Sequence, residues 1–309
     1  MHMTMTLHNK IKKISRKIGI SVRVGKKARP IDLRDIKDIN PVQLGYLSEG
    51  LSYFISVPVN KIIHMEYMSF GLDSNSRSPF LGTMLNYLNG DQSYEGSLLE
   101  KYYQLCRPSS VADFMGIDKP ENNNLNDLDA PYAPRIFSSD SLEKTMDACE
   151  KRTLAENKKI SRNKIGLDVG RSLYGPTFPE KGQIEFSRLT KILNSVRKNG
   201  YNLDLTGVDS ISGVFLLDDT TNNWVVSVNS GQHRVACLAA LGYSRIPIHI
   251  QIKSGFGVLR LSHTKDLPIV RNGIITRHEA DSIFMRKIKK QPPACAYKWL
   301  NEADKLWPI

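Results

Sequence analysis

The feature that most constrains the fold is the run from residue 212 to residue 252, SGVFLLDDTTNNWVVSVNSGQHRVACLAALGYSRIPIHIQI. SGVFLLDD and NWVVSV are rich in β-branched and aromatic residues and flank the turn formers DDTTNN, which predicts a β-hairpin. The second strand leads into SGQHR. RVACLAALGYS then reads as a short apolar helix capped by Gly242, and RIPIHIQI as a buried strand. Upstream, IEFSRLTKILNSVRKNG has apolar residues at helical spacing and ends at Gly200, predicting a helix of about four turns. Helix, hairpin, turn, helix and strand in that order predict an α+β fold with a small mixed sheet.

The turn SGQHR is where chemistry is expected. A loop running from a strand into a helix start leaves backbone N–H groups unpaired and directed at one place, which favours an anion. Gly231 keeps a Cβ out of a ligand's approach, and Arg234 offers a forked pair of donors that matches phosphate oxygens. His233 adds a donor whose charge can change. The alternative for His233 is a helix cap or a buried hydrogen-bonding residue.

Elsewhere the sequence is less specific. Residues 31 to about 160 are expected to be mainly helical and irregular, with helices near 79–89, 96–106 and 140–160 and a surface loop at KPENNNLNDLDAP. Tyr102 and Tyr103 are expected in the core and at its rim. Near the C-terminus, Thr276 and Glu279 have capping-box spacing, so EADSIFMRKIKK should be helical up to Pro292 and Pro293. AYKWLNEADKLW should pack through Trp299 and Trp307.

Charge is unevenly distributed. The net charge is +12, yet residues 1–30 hold nine Lys or Arg and no acid, leaving 34 basic against 31 acidic residues in the rest. A nearly neutral body argues against a broad nucleic-acid surface. In LHNKIKKISRKIGI, Leu7, Ile11, Ile14 and Ile18 lie at helical spacing among lysines, giving a basic amphipathic tail. Such a segment can meet an anionic membrane surface, form a solvated tail or dock on the protein's own body. Four well-separated cysteines without a CxxC pair point to a reducing cytoplasm. No apolar run approaches the roughly 20 residues of a membrane span.

The string SVNSGQHRVACLAALGYSRIPIHI resembles the ParB/sulfiredoxin superfamily, in which a strand, a G-x-H-R type turn, an apolar helix, a Gly and an "IPV" strand follow in this order. Glu185, Arg188, Leu189, Ser195, Val196 and Gly200 fill the family's preceding helical pattern. The resemblance covers about 166–255 and implies a nucleotide whose phosphates rest on Gly231, His233 and Arg234, with Ser230 and Gln232 as further donors. Sulfiredoxin chemistry needs a cysteine before the motif His, where this chain has Gln232, and Cys237 is better read as core. Partition-type ParB proteins carry a long DNA-binding region after this domain, and only about 55 residues follow here.

What remains is phosphoryl transfer from ATP or another nucleoside triphosphate, commonly with Mg2+, or an unfamiliar nucleotide-dependent reaction. The kinase branch of the superfamily implies Glu185 as a catalytic residue together with His233, although a Glu near a helix start also answers the helix dipole. Asp218 and Asp219 are weaker metal candidates, since hairpin-turn residues explain them as well. A second resemblance, carried by SYEGSLLEKYYQLCRPSSV, YGPTFPEKGQIEFSRL, GQHR and LPIVRNGIITRHEADSIF, is to ParB-like proteins associated with bacterial surface-polysaccharide or lipopolysaccharide assembly. It implies a glycan or small-molecule hydroxyl as acceptor and peripheral attachment at the inner face of the membrane. The alternative function is a nucleotide-responsive nucleic-acid-binding clamp. The expected organisation is a basic tail (1–30), a mainly helical region (31–165), a ParB/sulfiredoxin-like nucleotide domain (166–255) and a C-terminal helical extension (256–309).

Overall fold

The structure, a computed structural model, describes residues 29–73, 75–137, 140–160, 170–203, 205, 210–252 and 257–307. The basic tail thus lies, apart from Arg29 and Pro30, outside the described residues. The strands are β1 (Ile31–Asp32), β2 (Tyr53–Pro58), β3 (Ile62–Ile63), β4 (Ser212–Asp218), β5 (Asn223–Ser230), β6 (Arg245–Ile250) and β7 (Val258–Arg260). The helices of eight or more residues are α1 (Pro79–Leu88), α2 (Leu98–Leu105), α3 (Leu142–Ile160), α4 (Pro179–Asn199), α5 (Gln232–Ala240), α6 (Arg277–Ile288) and α7 (Tyr297–Leu306).

One mixed sheet runs in the order β1-β2-β6-β4-β5-β3, with β7 beside β4. The expected hairpin is present: β4 and β5 pair antiparallel, and Asp218 faces Asn223 at the turn. Every residue of β4 is buried, as befits a central strand covered on both faces. The α+β class follows directly, with helices packed around a single sheet.

The expected division near residue 166 is not a division of the sheet. β2 pairs antiparallel with β6 along its whole length, from Tyr53 opposite Ile250 to Pro58 opposite Arg245, and β3 runs parallel to β5. Residues 31–165 are therefore not only helical. The apolar core is likewise continuous, from Leu44 through Ile248 to Ala303. YFISVP lacks a neighbouring strand or turn signal because its partner lies some 190 residues along the chain, and local pattern carries no trace of such a pairing.

The helices follow their local signals closely. Ser78 caps α1 through Leu81 N, with Pro79 at the first helical position. α4 buries Glu185, Phe186, Leu189 and Leu193 along one stripe and ends at Gly200, whose φ is 72°. α6 opens with the full Thr276–Glu279 capping box. Tyr102 and Tyr103 are both buried, and Trp299 is buried with its indole N–H donating to Arg77 O at 2.9 Å. In the expected surface loop, Asn124–Asp127 forms a helical turn that buries Leu125. All four cysteines are free. Among the described residues no helix is long and apolar enough to cross a membrane.

Candidate functional site

The turn from β5 into α5 is built to orient the helix start. Gly231 is its N-cap residue, with φ 88° and ψ 27°, a left-handed conformation that a Cβ disfavours. A Cβ added there would sit 3.0–3.1 Å from Ile211 Cγ1 and Cα. The missing side chain therefore clears Ile211. Gln232 is also committed to the protein: its Nε2 donates to Val228 O at 2.8 Å, and its Oε1 accepts from Met65 N at 2.7 Å. It ties the helix start to the loop after β3. Ser230 is exposed at the end of β5, and Arg234 is half-buried in the first turn of α5.

Glu185 and His233, the two expected catalytic residues, meet in the structure. Glu185 has no exposed surface; its Oε1 lies 2.7 Å from Arg188 Nη1 and its Oε2 3.0 Å from His233 Nε2. The second contact has the distance but not the alignment of a hydrogen bond. Burial alone would raise the Glu185 carboxyl, yet the contact with His233 and the cations Arg188 and Lys181 outweigh it and hold the group below its ordinary value. The His233 ring stacks on Phe80 at 4.9 Å between centroids. The pair thus clamps the start of α5 between α1 and α4, and neither residue reaches the cleft described below.

Beneath this clamp His64 is buried, with Nε2 at 2.7 Å from Ser78 Oγ. Burial and the nearby His233 push it down to about 3. Because the folded value is depressed, the unfolded chain takes up the extra proton as pH falls below 6.5, and stability is lost toward pH 3. We expect the unfolding free energy to fall between pH 6.5 and 5 by up to about 1.4 kcal/mol per pH unit. Denaturant titrations should show this slope in the wild-type chain and a flatter one in His64→Asn; equal slopes would refute it.

The cleft lies on the other side of the turn. It has a volume of about 590 Å³ and is lined by Glu66, Arg135, Arg152, Arg171, Asn229 and Gln232, among others. Asn229 and Gln232 bring in the end of β5 and the start of α5. Arg152 comes from α3. Arg171 comes from a strap fixed at several points: Tyr103 Oη donates to Ser172 O at 2.8 Å, Tyr102 Oη to Leu173 O at 2.6 Å, and the buried Lys181 Nζ to Gly170 O at 2.8 Å. A Cβ on Gly175 would overlap the Tyr103 carbonyl, so only glycine lets the strap lie this close. Arg152 Nη2 and Arg171 Nη1 approach Cys149 Sγ at 3.4 and 3.6 Å, which places both guanidinium groups on one wall. Arg135 Nε lies 3.4 Å from Glu66 Oε1 on another. Three arginines from three segments line this cleft, together with the carboxylates of Glu66 and Asp140, and forked guanidinium donors match anions with several oxygens.

Of the turn residues expected to hold phosphate, only Gln232 lines the cleft; Ser230, Gly231, His233 and Arg234 do not. Glu66, Arg135, Arg152 and Arg171 had no sequence signal, since each stands alone in its own segment. Asp218 and Asp219 are turn residues: Asp218 accepts from the Thr220 and Thr221 hydroxyls at 2.6 Å, and Asp219 accepts from Ser262 N at 3.1 Å and from the Ser262 hydroxyl. These bonds hold the Asp218 carboxyl below its ordinary value. Among the described residues no group of three or more His, Cys, Asp or Glu side chains is placed to hold a metal.

Fold and cleft together define an α+β protein with an arginine-lined cleft at the end of a central hairpin. No protein-family model matches the chain, and neither the curated proteins nor the solved structures contain a match. The resemblance to the ParB/sulfiredoxin superfamily rests on the residues that carry it.

Proposed function

We propose that the protein is a nucleotide-dependent phosphotransferase, an ATP-dependent kinase, that acts on the hydroxyl of a small molecule or glycan. The observation that supports this reading is the convergence of Arg135, Arg152 and Arg171 on a cleft beside the start of α5. Forked guanidinium donors match phosphate oxygens, and the free N–H groups of a helix's first turn add to the same field. Phosphoryl transfer depends chiefly on placing positive charge around the transferred group and excluding water, and the cleft supplies the charge. Its volume lies within the range for ligands of nucleotide size. In this reading the arginines take the phosphate role expected of Arg234, and α5 contributes its backbone. Magnesium enters as the nucleotide's own counter-ion, since the aspartates after β4 are engaged in their turn.

The polysaccharide resemblance supports a glycan acceptor and work at the cytoplasmic face of a membrane. Calorimetric titration with magnesium ATP tests the proposal, with duplex DNA at two salt concentrations as the comparison. One ATP should bind per chain. DNA affinity that falls steeply with salt and survives removal of residues 1–30 would favour the nucleotide-responsive nucleic-acid clamp instead.

A further inference from the structure

The loop after β3 holds the most strained backbone beside the cleft. Met65 has φ 63° and ψ 41°, Glu66 has φ 51° and Ser69 has φ 54°, all left-handed and all carrying a Cβ. Consecutive left-handed residues with side chains are unfavourable and persist only where their surroundings over-determine them. Here the surroundings do so. Gln232 accepts from Met65 N at 2.7 Å, and the buried Lys287 donates to Glu66 O at 2.7 Å. Arg286 donates to Tyr67 O at 2.8 Å, and Tyr67 Oη donates to Pro134 O at 2.6 Å. Two largely buried cations thus hold two successive carbonyls.

The consequence of this conformation is the direction of one side chain. From Ile62 to Phe70 every residue is buried except Glu66. Its carboxylate stands in the cleft, close to Arg135 and on the same surface as Arg152 and Arg171. A carboxylate in a receptor for anions weakens ground-state binding, so its presence calls for another role. Helix packing and core formation supply none, because the side chain contributes to neither.

We infer that Glu66 is the catalytic carboxylate of the proposed phosphotransferase, placed by the strained loop to take the proton of the acceptor hydroxyl. This rests on the phosphotransferase reading. In the step, the acceptor O–H bond breaks and its proton passes to Glu66, while the oxygen bonds to the γ-phosphorus. The bond from that phosphorus to the β-phosphate oxygen breaks, and the nucleoside diphosphate leaves with the electron pair. Arg135 pairs with Glu66 at the cleft wall, while Arg152 and Arg171 face the phosphates. Glu185 cannot do this work, being sealed against Arg188 and His233.

The test uses the full chain, magnesium ATP and water as the substitute acceptor. Glu66→Gln should lower ATP hydrolysis by about 10²- to 10⁴-fold, the usual contribution of general-base catalysis. ATP affinity should be unchanged or tighter, because a negative charge has left the anion site. Glu66→Asp, shorter but still basic, should fall between the two in turnover. An unchanged melting temperature in both variants shows that the loop is intact. Wild-type hydrolysis rates in Glu66→Gln with ATP still bound would overturn the assignment and leave the phosphotransferase reading standing. A parallel loss of binding and turnover would make Glu66 a shaping residue and also overturn it. Wild-type protein that binds no ATP, or binds it without turnover, overturns both.

Discussion

Glu185→Gln should lower the unfolding free energy at pH 7 by about 2 to 3 kcal/mol, the range for hydrogen bonds and close contacts to charged groups. The carboxylate is fully buried and lies 2.7 Å from the Arg188 guanidinium and 3.0 Å from the His233 ring. Removing one member of a wholly buried ion pair costs about 3 to 5 kcal/mol. Here Arg188 and His233 keep 36% and 22% of their side-chain surface in solvent, so water screens the charges that remain and the smaller figure applies. The effect has a pH signature. The folded carboxyl lies below its ordinary value, so its contribution is present at neutral pH and is lost as pH falls through the folded value. The gap between wild type and variant should therefore close in acid. Urea denaturation at pH 7 and at pH 3.5 measures both, and equal stability at pH 7 would show that the clamp on α5 does not depend on this charge.

Arg171→Ala should weaken magnesium ATP binding by about 10- to 150-fold, the equivalent of about 1.5 to 3 kcal/mol for a charge-assisted hydrogen bond. Arg171 stands in the cleft on a strap fixed by Tyr102, Tyr103 and Lys181, so the arginine reaches a ligand without first being ordered. Arg171→Lys should recover only part of the loss, because an ammonium group cannot reproduce the planar fork. Arg234→Ala is the informative contrast. Arg234 does not line the cleft, and its replacement should change affinity less than that of Arg171. Calorimetry on the three variants separates the two expectations. A loss confined to Arg234→Ala would return the phosphates to the strand–helix turn and remove them from the arginine cleft.

The signals that could be read along the chain were local ones. The β4–β5 hairpin, the end of α4 at Gly200, the Ser78 cap and the Thr276–Glu279 capping box are each set by residues within a few positions of one another, whereas α4 begins at Pro179, five residues before the expected start at Ile184. Asp218 is local in the same way, its bonds reaching only Thr220 and Thr221, whereas Asp219 is held by Ser262, 43 residues along the chain. Cys237 in an apolar helix was legible as core for the same reason.

The site was legible only in part, because its parts meet through contacts between distant segments. Of the SGQHR turn, Gln232 lines the cleft, and tertiary packing gave the turn's residues different tasks. Gly231 faces Ile211, Gln232 is held by Met65 and Val228, and His233 is pressed against Phe80 and Glu185. Arg135, Arg152 and Arg171 share one cleft because α3 and the strap before α4 fold over the end of β5, which no spacing in the sequence records. By itself the sequence determined the helices, the hairpin and the turn, since hydrophobic period and capping act within a few residues. Tertiary structure alone decided that β2 joins β6 and that Glu66 stands among three arginines, since both depend on pairings between segments far apart in the chain.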